Sequence, residues 1–192
     1  MTHVSNRTDR HTRWRAEMAA AMLCIGALSA VTACGVLRAN GATPPAAAIR
    51  MAISEATGWT RAATTEHYLV VVNVLPSESM MTRAEVQATH PTEGELIVDG
   101  IGLPYGAFIR HVEAHIYDRA TGKAITGMVP SIKLTNRTTG EVIDVPPTLM
   151  QDVIIGPLDL HFGNNVPVAD DSDISVLVTV DGEGVSVDGH ID

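Results

Sequence analysis

The stretch His111–Asp118, HVEAHIYD, alternates strictly. His111, Glu113, His115 and Tyr117 fall at one parity; Val112, Ala114, Ile116 and Asp118 fall at the other. Side chains two residues apart share a face of a strand. The stretch therefore predicts a β-strand carrying two imidazoles and a carboxylate in a row. That row is either a metal site or the wet side of a half-buried strand, and alternation alone does not choose.

Outward from this strand the chain keeps the same grammar. HYLVVVNVL (67–75) is apolar at both parities, which predicts a strand buried on both sides or one at a homodimer contact. ELIV, AFIRHVEAHIYD, KAITGMV, SIKLTN, EVIDV, LDLHF, DISVLVTV and VSVD are short, rich in β-branched residues and separated by Gly, Pro, Asn or Asp. DRATGKAI (118–125) and NRTTGEVI (136–143) each place four residues ending in Gly between two strands, as in a hairpin whose last loop residue needs positive φ. VDGEG near Asp181 reads as a third tight turn. The one helix signal is TRAEVQATHP, where Thr82 and Glu85 form a capping box and Pro91 is the stop. The expected fold is all-β, an immunoglobulin-like β-sandwich of about seven to nine strands with one short helix.

The first third of the chain reads differently. Arg7, Arg10, Arg13 and Arg15 precede an apolar, Ala-rich run from about Ala19 to Val31, of signal-peptide length. VTACG (31–35) places Cys34 where a bacterial lipoprotein is cut and lipidated; a plain secretory leader cut near Ala42 is the alternative. The expected organisation is a lipoprotein signal peptide over 1–33, an Ala/Thr/Pro-rich tether over 34–65 and a metal-binding sandwich over 66–192. Within the tether, Trp59 is the residue expected to pack on the domain. The protein would then be extracytoplasmic and held to the cell membrane by lipidated Cys34.

That organisation limits the chemistry. Cys24 leaves with the leader and Cys34 becomes the anchor, so no thiol remains for a disulfide, a thiolate zinc site or a type I copper centre. The whole chain has 13 basic and 22 acidic residues; the leader removes four arginines and two acids, leaving an acidic domain. Such a surface argues against nucleic acid as a partner. The chain lacks GxSxG, HExxH and a glycine-rich phosphate loop, and the expected protein is not an enzyme. The acid cluster ADDSD (169–173) lacks the Gly and the distant Glu of an EF-hand and reads as a solvated turn.

Imidazole and carboxylate together suit zinc, iron or copper(II), but two or three ligands on one strand leave a shell half empty. PTLMQDVIIGPLDLHFGNNV (147–166) supplies the missing half. Met150 is a thioether of the kind copper(I) prefers. His161 projects opposite the apolar Leu158, Leu160 and Phe162, with FGNN read as a turn after it. Met80 and Met81 are expected to pack beneath the helix, His90 to end it and His67 to be exposed.

In this order the pieces resemble a family. The bacterial periplasmic iron-transport proteins that accompany high-affinity iron permeases are immunoglobulin-like sandwiches binding copper and iron. Their His-x-Glu-x-Asp strand, strand–turn–strand, Met-bearing segment and His-Tyr-Gly-x-Asn correspond here to HVEAH, SIKLTNRTTGEVIDV, TLM and HFGNN. The match spans about 111–166. The resemblance implies that His111, Glu113, Met150 and His161 are metal ligands, for copper first, with iron or zinc as alternatives. It further implies service to a membrane metal transporter. His115 stands where the family has Asp, and is a further candidate ligand or a solvent-facing residue. The family's later His has only His190 as a counterpart, expected in a frayed tail. The competing expectation is a tethered structural or interaction sandwich whose polar row binds nothing.

Overall fold

The structure, a computed structural model, describes residues 58–106 and 109–192. The leader (1–33), Cys34 and the tether up to residue 57 lie outside the described residues. No helix among the described residues is long and apolar enough to cross a membrane.

Among the described residues, eleven strands form two sheets. The larger runs β1 (Trp59–Thr64), β2 (Tyr68–Pro76), β5 (Ile109–Asp118), β9 (His161–Pro167), β8 (Thr148–Asp152), β4 (Glu95–Asp99) and β3 (Met80–Met81), in that lateral order. The smaller runs β11 (Glu183–Ile191), β10 (Ser172–Val180), β6 (Ser131–Asn136) and β7 (Val142–Val145). A helix, α1 (Arg83–Thr89), and a 3-10 turn (Gly156–Asp159) complete the described secondary structure. The expected all-β sandwich is the observed one.

Parity sorts the large sheet into two faces. Tyr68, Val70, Val72 and Val74 of β2 and Val112, Ala114 and Ile116 of β5 join Ile132, Leu134 and the apolar residues of β10 in one core. Twenty buried residues make up that core. Each large apolar side chain contributes about 1.5–3 kcal/mol on burial, so no cross-link is required to hold the sheets together. The opposite parity, with Asn73, His111, Glu113 and His115, faces away from the sandwich interior. On this outer face Leu69, Val71 and Tyr117 form a small second cluster at one end.

The turns follow the expected chemistry. Gly122 and Gly140 have φ of 70° and 80°, and each donates its N–H to the carbonyl four residues back, Asp118 and Asn136 respectively. Asp181 and Gly182, both at positive φ, form the β10–β11 turn. Thr82 and Glu85 cap α1 reciprocally, and His90 ends the helix in the left-handed region.

Four expectations are corrected. The sandwich begins before residue 66: Trp59–Thr64, assigned to the tether, pairs along β2 as an edge strand. Its Ala/Thr composition hid it, because only Trp59 is buried. KAITGMV is not a strand; it contributes a single bridge, Ala124 to Tyr117. FGNN is no turn but the body of β9, tied on both sides to β5 and β8. His190 is not frayed: it lies in β11 opposite Asp173 and hydrogen-bonds its carboxylate.

Candidate metal centre

Four neighbouring strands bring the candidate ligands together. In the β5–β9 ladder His111 stands opposite Asn165 and Glu113 opposite Gly163. In the β8–β9 ladder Met150 stands opposite His161, and in the β4–β8 ladder Ile97 stands opposite Met150. Cross-strand partners share a face, so His111, Glu113, His161, Met150 and Glu95 all lie on the outer face of the large sheet.

The wet-face reading fails on burial. His111 is 0% exposed, Glu113 1%, His161 1% and Glu95 4%. His115 and Met150 are equally enclosed. An ionised group taken out of water costs several kcal/mol unless it is paired, so a buried row of this kind needs a reason.

The distances supply one. Nε2 of His161 lies 3.3 Å from Oε2 of Glu113 and 3.7 Å from Oε2 of Glu95. Nε2 of His111 lies 3.7 Å from Oε2 of Glu113. The imidazole rings of His111 and His161 are 5.7 Å apart at their centroids. Donor atoms of Glu95, His111, Glu113 and His161 lie within 4.8 Å of one another. At 3.3–3.7 Å these contacts lie at or beyond the long end of hydrogen bonding. Two ligands each about 2.1 Å from a tetrahedral ion would themselves stand about 3.4 Å apart. Nε2 of His111, Nε2 of His161 and Oε2 of Glu95 are buried with no hydrogen-bond partner.

The outward-facing atoms of the same residues are engaged. Nδ1 of His111 contacts Oδ1 of Asn165 at 3.2 Å. Nδ1 of His161 contacts the main-chain carbonyl of Asp159 at 2.8 Å and its carboxylate at 3.2 Å. Oε1 of Glu113 accepts from Nδ2 of Asn73 at 2.5 Å and pairs with Nε2 of His115 at 3.3 Å. Partners on one ring nitrogen fix the tautomer that leaves the other nitrogen free. His111 and His161 thus each have one ring nitrogen held and one without a hydrogen-bond partner, and those two nitrogens converge on Oε2 of Glu113.

Proton affinities follow from the same contacts. Burial pushes His111 down to about 4 and drives the Glu95 carboxyl well above its usual range. Burial opposes a charge on Glu113, but His161 and His115 beside it outweigh that and hold it below the carboxylate range. Burial also disfavours the His161 cation, yet Glu113 and Glu95 raise its pKa well above the ordinary value. These directions favour a proton on His161 beside an ionised Glu113 and disfavour charge on His111 and Glu95.

Of the residues expected from sequence, His111, Glu113 and His161 converge on one point. Met150 reaches the same face beside His161. His115 sits one step along β5, its ring 5.1 Å from that of His161, within reach of Glu113 and Asp159. His115, Asp159 and His161 form a second tight group that shares His161 with the first. Met80 and Met81 form the edge strand β3 and line a surface groove with Leu103, Pro104 and Tyr105.

Glu95, Asp159, Asn73 and Asn165 were not anticipated. Glu95 opens a strand whose motif has no histidine near it, so nothing local marks it. Asp159 lies two residues before His161, a same-face spacing, but it belongs to the 3-10 turn and not to the strand.

No family model matches the chain, and no curated protein matches its sequence. Solved structures do. A DUF4426 family protein from Pseudomonas aeruginosa is 12% identical with a TM-score of 0.43, covering 69% of this chain and 96% of that one. A copper-bound variant of FetP from uropathogenic Escherichia coli is 16% identical with a TM-score of 0.46, covering 70% and 90%. A copper-bound variant of Campylobacter jejuni P19 is 14% identical with a TM-score of 0.39, covering 69% and 92%.

Proposed function

We propose that this protein binds a transition-metal cation, copper first and iron or zinc next, at Glu95, His111, Glu113 and His161, with Met150 beside them. The single observation that carries this reading is the convergence of unpartnered, buried Nε2 and Oε2 atoms at ion-sharing distances. Two imidazoles and two carboxylates suit zinc, iron(II) or copper(II), and a thioether at Met150 adds affinity for copper(I). A buried site with no nucleophile is suited to holding and handing over a cation, and we read the protein as a non-catalytic carrier. Its leader and the VTACG stretch support an extracytoplasmic, lipid-anchored location, where a carrier would exchange ions with a membrane transporter.

Titration of the purified protein with copper(II), copper(I) and zinc tests this reading, with His111→Ala and His161→Ala in parallel. Tight wild-type binding weakened at least about 100-fold in both variants is expected, as each removes a direct ligand. Weak binding that is unchanged in both variants ends the reading.

A further inference from the structure

The ligands are sealed from solvent, so a cation reaches them only when something opens. One side chain shows what must move. Asn165, 2% exposed, stands opposite His111 in the β5–β9 ladder. Its Oδ1 faces Nδ1 of His111 at 3.2 Å and accepts the main-chain N–H of Glu78 at 3.1 Å. Its Nδ2 donates to the carbonyls of Glu78 at 2.8 Å, Leu103 at 3.3 Å and Pro104 at 3.4 Å.

One amide thus joins a metal ligand to two separate segments. The first, 77–79, links β2 to β3; the second, 100–104, leaves β4. The first is tied to β4 by the N–H of Glu95, which donates to the carbonyl of Ser79 at 2.7 Å. Apolar burial does little to retain the second segment, since Ile101 is 77% exposed and Leu103 37%. Polar contacts hold it instead: besides Asn165, the neighbouring Asn164 accepts from the N–H of Leu103 at 2.8 Å and donates to the carbonyl of Ile101 at 2.9 Å. A buried amide with every polar atom engaged is costly to displace but breaks as one unit.

We propose that Asn165 is a positioning residue for the metal centre. Its oxygen orients His111, and its NH2 latches Glu78, Leu103 and Pro104 across the site, so that rupture of this latch sets the rate of cation exchange. The inference rests on the metal-binding reading above.

Asn165→Asp tests it. The carboxylate still accepts from His111 and from the N–H of Glu78 but can donate to none of the three carbonyls. The copper(II) dissociation constant is expected to change by less than about threefold, because His111 keeps its partner. Release of copper(II) into excess EDTA is expected to accelerate about tenfold or more, because the donor bonds are gone. Asn165→Ala, which also frees His111, should lose affinity as well. A wild-type rate of release from the folded Asn165→Asp protein would overturn the latch and leave the metal site standing. Absence of any copper or zinc binding by the wild type would remove both.

A measurement on the wild type alone gives a second test, should Asn165→Asp not fold. Amide exchange at Glu78 and Leu103 reports opening of the two segments. Copper release slower than or equal to that opening agrees with the latch; release faster than either amide opens refutes it.

Discussion

Gly163 lies directly across the β5–β9 ladder from Glu113, so close that a Cβ on Gly163 would sit 2.8 Å from the Cα of Glu113. The clash is with main chain, which cannot rotate away. Gly163→Ala is therefore expected to push β5 from β9 at the very point where the candidate metal ligands meet. Overpacking of this kind costs about 1–3 kcal/mol, and cation affinity should fall with it. Urea unfolding and copper titration of the variant measure both; a protein unchanged in stability and in affinity would contradict this packing.

Glu78 gives the metal-free protein a pH-dependent stability. Burial, and then the charge on Glu113, push its carboxyl up to about 7 from the ordinary 4.5. The folded state holds this proton where the unfolded state has released it. Its contribution is present in full below pH 4.5 and is lost as pH rises through about 7. Between these limits the wild type should lose stability with rising pH more steeply than Glu78→Gln, and above pH 7 the two curves should run parallel. Urea midpoints at pH 5, 6 and 7.5 on metal-free protein check this, and equal slopes for the two proteins would count against it.

Met150 separates packing from ligation. It is fully buried and faces the site beside His161. Met150→Leu conserves volume, so stability should change by less than about 1.5 kcal/mol. Copper(I) binding should weaken at least about tenfold, because a thioether is the soft donor, while zinc binding should hold. Competition titrations with both ions decide it; an undiminished copper(I) affinity makes Met150 a core residue only.

Trp59 anchors the edge of the sandwich from outside the expected domain boundary. It is 9% exposed, and Gly189 of β11 has no side chain because the Trp59 ring occupies that space. The ring thereby bridges the two sheets at β1 and β11. Trp59→Ala should cost about 3–5 kcal/mol, and a chain started at residue 66 should be destabilised at least as much. Thermal unfolding of both would show it, and a full-strength domain starting at residue 66 would be the contrary result.

How much of this was legible beforehand depended on whether the signal was local. Alternation at His111–Asp118 and turn glycines at 122 and 140 are local, and they were enough for an all-β sandwich. The His111, Glu113 and His161 trio was legible through the order of motifs. Glu95 was not, because its place beside His161 depends on β4 pairing with β8, where its partner Asp152 is 57 residues away and no spacing encodes the contact. Nor was the burial of the row. A strand with one polar parity ordinarily faces water, and here the row is buried, with loops 77–79 and 100–104 hydrogen-bonded to Asn165 beside His111. Asn164 and Asn165 looked like turn residues because Asn favours turns, but their amides serve as clamps inside a strand. β1 was missed because edge strands need little apolar content.

The two-faced strand β5 has one more consequence. Val112, Ala114 and Ile116 carry the core, while His111, Glu113 and His115 carry the site on the reverse. Fold and chemistry are thus written on the same ten residues in alternate letters. Changes at even positions should act on the core, whereas changes at odd positions should act first on the buried polar cluster and its pairing. On the metal-binding reading proposed above, the candidate ligands can therefore vary while the core residues that hold the sandwich stay the same.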